Sequence, residues 1–147
     1  MNTRNSQVPT RGQRMRTKGW TMPEGGLYVG RPSQWGNPWR IKSAARSHAV
    51  SHEPVTGRAR GVVGTYDTVE EAAARAVQEY REYLAGQTEL WLHGRLQPLY
   101  GKILLCWCPL GQECHVDVLI ECATAYLNEG RDGTYTFKTW STGMVAS

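Results

Sequence analysis

Three of the chain's four cysteines and one of its four histidines fall within ten consecutive residues, Cys106-Trp107-Cys108-Pro109 and Cys114-His115, with Asp117 two positions on. A thiolate is both a nucleophile and a soft metal ligand, and an imidazole serves as base or ligand. Three readings of the block therefore compete. In the first, Cys106, Cys108, Cys114 and His115 hold a structural zinc as a tetrahedral Cys3His set. The Cys-x-Cys spacing beside an adjacent Cys-His pair departs from the usual Cys-x2-Cys knuckle. In the second, Cys108 or Cys114 is a catalytic thiolate, His115 its base and Asp117 the group that orients the base. Thiols of that type work in the transfer or hydrolysis of acyl, glycosyl or phosphoryl groups. In the third, the cysteines are small buried hydrophobes and His115 is a hydrogen bonder at a helix start. Cys122, seven residues after His115, reads as core.

The flanking pattern says how these side chains must be held. Gly101-Lys102-Ile103-Leu104-Leu105 is a short apolar, strand-like run into the block. Alternation on a strand puts Cys106 and Cys108 on one face and Trp107 on the other, and Pro109 ends the ladder because it has no N–H. Beyond Gly111, the residues Val116, Leu119, Ile120, Ala123 and Leu127 recur at helical spacing. Cys114 and His115 then lie at a helix N-terminus, where free N–H groups and the dipole favour a thiolate or an anion. A strand, a loop and a helix start are what α/β proteins use to build sites.

A second stretch carries a recognition inventory. Leu27-Tyr28-Val29-Gly30 reads as a strand that empties into Arg31-Pro32-Ser33-Gln34-Trp35-Gly36-Asn37-Pro38-Trp39, whose two prolines, glycine and asparagine specify an irregular loop. Arg31 suits a phosphate or carboxylate, Ser33 and Asn37 hydrogen bonds, and Trp35 stacking, with Trp39 better placed as the core tryptophan. Neither common phosphate-loop signature is present. Upstream, Arg14, Arg16 and Lys18 alternate and are closed by Trp20, so an extended arm would point its cations one way. Arg16, Lys18 and Trp20 could then clamp a phosphate and stack on a ring. The competing reading is a basic arm whose tryptophan plugs the core.

Residues 1–12 lack periodicity and read as a flexible basic N-terminus. Residues 13–127 make a single α/β domain, within which 42–61 reads as a polar loop insertion, and 128–147 form a C-terminal extension with an edge-strand pattern at 134–140. His48 and His52 read as plain loop histidines, since Pro54 and Gly57 work against a helix there. Thr68 with Glu71 and the terminal Gly86 bracket an amphipathic helix whose stripe runs from Val69 to Leu84. Glu79 borders that stripe. Residues 88–100 suggest a short helix interrupted near Gly94 and Pro98.

Composition sets the class. The chain has 147 residues, 40% hydrophobic and 20% charged, with no apolar run near the roughly 20 residues of a bilayer span and no apolar stretch at the N-terminus for a signal peptide. A cytoplasmic location and reduced or metal-bound cysteines are the expectation, with no membrane partner. The net charge of +4 hides an asymmetry. Residues 1–60 carry eleven Lys/Arg against Glu24 and Glu53, a net of +9, and residues 61–147 carry six against eleven, a net of −5. A basic front half points to a phosphate-bearing partner, a nucleotide or nucleic acid.

Three blocks together resemble a small, functionally uncharacterised domain family of bacteria and their phages. They are the Arg-x-Lys-Gly-Trp arm at 16–20, the Val-Gly-Arg-Pro-Ser-x-Trp-Gly-Asn-Pro loop at 29–38, and the Gly-Lys…Cys-Trp-Cys-Pro…Cys-His…Leu block at 101–119. The helix at 69–85, closed by a Tyr-Leu pair, fits as well. The resemblance spans about residues 13–127 and implies a compact α/β domain and a bacterial or phage source. It implies no reaction. The residues themselves lead to a few-stranded sheet with flanking helices, Rossmann-like in local logic, in which the Arg31–Asn37 loop and the Cys106–Asp117 segment share a pocket. The leading function is an enzyme or sensor acting on a nucleotide or nucleic-acid component, as a transferase or hydrolase if it is an enzyme. The alternative is a non-catalytic module that binds nucleic acid or a host protein and uses the Cys/His site to staple its fold.

Overall fold

The computed structural model describes residues 7–132. Its first sheet is parallel, with β6 (Ile103–Cys106) at the centre, β1 (Thr10–Gln13) on one side and β2 (Gly26–Tyr28) on the other. The apolar run Ile-Leu-Leu-Cys suits a central strand of a parallel sheet, covered on both faces. The second sheet is an antiparallel meander of β3 (Trp39–Ala44), β4 (Ser47–His52) and β5 (Gly61–Tyr66). Helices α1 (Val69–Ala85) and α2 (Glu89–Leu96), with a 3-10 turn at Gln97–Leu99, connect the meander to β6, and α3 (His115–Asp132) follows it.

The chain is thus α/β, as the sequence implies, with two features differing from expectation. The stretch 42–61 contains most of a β-hairpin, and only the segment after His52 and before Gly61 is loop. Trp39-Arg40-Ile41-Lys42 alternates apolar and basic, and the antiparallel register pairs Ile41 with Val50, so the apolar side packs inward with Trp39, Ala72 and Ala76. Four residues assigned across the flexible N-terminus and the domain boundary form β1, which is held by main-chain bonds to β6 in the register Thr10↔Ile103 to Gln13↔Cys106. Backbone pairing needs no hydrophobic pattern, which is why the polar sequence TRGQ does not announce it. The expected edge strand at 134–140 lies outside the described residues.

Helix α1 starts and stops where its sequence signals stand. Thr68 Oγ1 accepts the Glu71 N–H at 3.1 Å, and the Gly86 N–H bonds back to the Glu82 and Tyr83 carbonyls. Its buried face is Ala72, Ala73, Ala76, Val77, Tyr80 and Leu84, and the small residues let the helix sit close to β3. Glu79 pairs with Arg75 one turn earlier, at 2.5 Å, and so is a helix-surface ion pair. Helix α2 runs through Gly94 and yields only at Pro98, where the 3-10 turn begins. The main core joins Val29, Trp35, Val77, Tyr80, Leu92, Leu96, Leu99, Leu104, Val116, Leu119 and Cys122.

One hydrogen bond ties α1 to the irregular loop: the fully buried Tyr80 hydroxyl donates to the Trp35 carbonyl at 2.8 Å. Burial holds that phenol well above its ordinary titration range, so it remains a donor. Tyr80→Phe leaves the Trp35 carbonyl without its donor and should destabilise the protein by about 1–3 kcal/mol in denaturant titrations. The same change at the exposed Tyr83 should be nearly silent.

Candidate functional site

All three strands of the parallel sheet run the same way, so their C-terminal ends lie along one edge. From β6 emerges the cysteine segment, from β2 the Arg31–Asn37 loop, and from β1 the basic arm beginning at Arg14. The N–H of Val29 bonds to the Leu105 carbonyl and the N–H of Arg14 to the Cys106 carbonyl, both at 2.9 Å. The pairing therefore continues one residue past β2 and β1 and delivers all three segments to the same place. It is the edge at which α/β sheets collect ligands.

At this edge the sulfurs converge. Cys106 ends β6, Cys108 lies in the following bend, and Cys114 immediately precedes α3. The Sγ atoms of Cys106 and Cys108 are 3.8 Å apart, and Cys114 Sγ is 3.5 Å from His115 Nδ1. The ligand atoms of Cys106, Cys114 and His115 all lie within 4.8 Å of one another, and these three residues are buried. All four cysteines are free thiols. Cys122 is packed inside α3, as its spacing implies. Within the cluster, hydrogen bonds first from Cys108 and then from Cys114 hold the Cys106 thiol well below its ordinary range. The hydrogen bond to Cys106 pushes Cys108 up to about 11 and raises Cys114 as well.

His115 is locked. Its Nε2 lies 2.8 Å from the Val29 carbonyl, which can only accept, so Nε2 carries the proton and the lone pair of the neutral ring is on Nδ1, facing Cys114. The ring stands edge-on to Tyr80 at 5.3 Å. Asp117 does not have the orienting role expected of it. It points out from the first turn of α3, and its carboxylate accepts from Arg11 at 2.9 Å. A residue two positions after His115 on a helix faces away from it, whereas Val29 on the adjoining strand end faces the ring. Arg11 is the residue that sequence reasoning missed. Besides Asp117 it donates to the Pro109 and Gln112 carbonyls, at 2.7 and 2.9 Å, and so closes the loop between the cysteine pairs. No local pattern marks it, because its partners are about a hundred residues away.

A cavity of about 520 Å³ opens over the cluster. Cys106, Cys108, Cys114 and His115 line one side of it, and Arg31, Asn37, Arg40 and Ile41 another, with Tyr28 and Trp107 also in the wall. The two motif segments therefore share a pocket. Burial, and then the nearby Arg40, lower the Arg31 guanidinium below its ordinary value, and Arg31 donates to the Asn37 carbonyl at 3.1 Å. Arg14 stacks on both Tyr28 and Trp107 at 4.8 Å, and Arg16 on Trp107 at 4.3 Å, adding cations beside two of the wall's aromatics.

The other expected ligand residues have structural positions. Trp35 is a core residue: its indole N–H donates to the Arg95 carbonyl at 2.7 Å, and with Ser33 it borders a separate cavity of about 370 Å³ near Trp91 and Arg95. Trp39 is buried too, and its indole N–H has no acceptor among the described residues. Asn37 spends both ends of its amide on the fold, donating to Ala76 and accepting from the Trp39 N–H. Ser33 accepts from the Trp35 N–H at 3.4 Å. A Cβ at Gly36 would lie 3.0 Å from the Arg31 backbone, so the close turn of the loop there favours glycine. Lys18 is exposed and Trp20 half-buried, and neither lines either cavity. Arg40, which the sequence reading passed over, does.

A family model described as a domain of unknown function, DUF4326, matches residues 12–125, and the chain belongs to that family. No curated protein and no solved structure matches the chain. No helix among the described residues is long and apolar enough to cross a membrane.

Arg11→Ala removes three charge-assisted bonds at once and should cost about 1.5–3 kcal/mol of stability. Asp117→Asn, which loses one half-exposed partner, should cost less than about 1 kcal/mol. Chemical denaturation of both variants checks the order.

Proposed function

We propose that the protein binds a nucleotide, or a nucleotide-like component of nucleic acid, in the cavity at the C-terminal edge of the parallel sheet. The observation that carries this reading is the pair of guanidiniums in its wall. Arg31 and Arg40 both line the cavity, Glu53 approaches Arg40 only loosely, at 3.9 Å and from outside the lining, and Glu113 is the only carboxylate in the lining. An anion between two such cations relieves their repulsion and gains charge-assisted hydrogen bonds, for which arginine's fork geometry suits a phosphate. Tyr28, Trp107 and the apolar side chains of Ile41, Ala73, Ala76 and Val77 offer a surface for a ring, and the volume falls in the range of small-molecule sites.

A second reading has its own support. Arg14 and Arg16 stacked on Trp107 extend the positive surface beyond the cavity, as a groove for single-stranded nucleic acid would require. Salt separates the two. A strand tracked by several arginines loses affinity steeply with ionic strength, and a mononucleotide held in the cavity does so far less.

Calorimetric titration with nucleoside mono-, di- and triphosphates, inorganic phosphate and short oligonucleotides tests both readings. Arg31→Ala should weaken nucleotide binding roughly tenfold to a hundredfold, the value of one to two charge-assisted bonds, with little change in melting temperature. Binding that is unaltered in Arg31→Ala removes the pocket reading.

A further inference from the structure

We propose that Cys106, Cys108, Cys114 and His115 form a closed tetrahedral zinc site. Zinc bonded to thiolates at about 2.3 Å and to imidazole at about 2.0 Å sets tetrahedral edges of about 3.8 Å between sulfurs and about 3.5 Å between sulfur and nitrogen. The Cys106–Cys108 and Cys114–His115 separations are 3.8 and 3.5 Å. Both pairs stand at ligand spacing; the ligand atoms of Cys106, Cys114 and His115 lie within 4.8 Å of one another, and Cys108 is the fourth corner, reached through its 3.8 Å approach to Cys106.

The donor set differs from that of a simple thiol pair, since three sulfurs and an imidazole gather where a disulfide would use only two. A disulfide brings its sulfurs to about 2.05 Å, and none of the four cysteines is so joined. Sulfurs this close fit a single metal atom better than terminal ligands of separate irons in a cluster. Three thiolates and one imidazole are the soft donor set that zinc takes.

The outer shell is in place too. A ligating imidazole nearly always donates its other N–H to a carbonyl or carboxylate, which fixes the ring and raises its basicity. His115 donates Nε2–H to the Val29 carbonyl and turns Nδ1 toward the sulfurs. The adjacency of Cys114 and His115, awkward on a regular element, is resolved by the helix boundary. Cys114 precedes α3 and His115 is its first residue, so their side chains leave a changing backbone and meet. With four protein donors the ion keeps no open position, and its role is to tie the end of β6, the start of α3 and, through Val29, the end of β2. The assignment is independent of the nucleotide reading, and either can fail alone.

Full-length protein, purified under reducing conditions without added metal, should contain about one zinc per chain, released when a mercurial titrates the thiols. Exchange with Co2+ should give a thiolate-to-cobalt charge-transfer band and the intense visible bands of a tetrahedral ion. Cys122→Ala should keep the full zinc content. Cys108→Ser, which alters the half-exposed corner and so leaves the core intact, should lose its zinc to a chelator that the unaltered protein resists. Absence of zinc together with three reactive thiols in the folded protein would overturn the site. So would a cobalt spectrum without thiolate character, or zinc retained equally in Cys108→Ser and the unaltered chain.

Discussion

The parallel pairing of β1 and β2 with the central β6 is the constraint on which the site depends. Parallel neighbours share a direction, so whatever follows each strand must leave from the same edge. Register then decides which residues meet: Gln13 is opposite Cys106, and Tyr28 is opposite Leu105. A one-residue slip of β2 would turn Tyr28 to the other face and move the Val29 carbonyl away from His115. The run Ile103–Cys106 holds that register because its alternating Leu104 and Leu105 side chains, on opposite faces, are both buried.

Around this edge, conformational freedom is removed by polar groups that are satisfied locally. Asn37 bridges the main chains of the loop and of α1, Tyr80 reaches the Trp35 carbonyl, and Trp35 reaches the Arg95 carbonyl. A loop with two prolines has few donors of its own, so side chains from α1 and α2 supply its partners. The cysteine loop is braced the same way from outside, by Arg11. These contacts explain how so polar a loop can bury Trp35 and Trp39 and half-bury most of its other residues, and they leave Arg31 as the loop's charge on the cysteine side.

The charge asymmetry of the sequence acquires a location. Arg14, Arg16, Arg31 and Arg40 all come from the basic front half, and the sheet gathers them near Trp107 and the cysteine cluster. Stacking on aromatic faces spreads part of this charge without a carboxylate partner. Elsewhere the cations are neutralised on the surface, as where Arg75 pairs with Glu79, and Glu53, held mainly by Lys42, reaches Arg40 only at 3.9 Å. Cations concentrated in a cavity wall and neutralised elsewhere are the electrostatic basis for recognising an anion.

Much of this protein is determined by its sequence alone. The cap at Thr68, the stop at Gly86, the strand–loop–helix run from Ile103 through His115 and the core position of Cys122 follow from local spacing, because capping, periodicity and proline act over a few residues. The α/β class follows with them. Local pattern could not reveal β1, since a polar edge strand is defined by its partner's backbone, nor Arg11, whose acceptors are distant in the chain. It assigned Asp117 to His115 by proximity in sequence, when a helix turns such neighbours apart and a strand end brings Val29 in. It read Trp35 and Asn37 as ligand residues because their chemistry suits a ligand, when burial had engaged the same groups in the fold. That three cysteines, one histidine and two arginines share a cavity is decided only by tertiary structure, where parallel strands turn separation along the chain into adjacency in space.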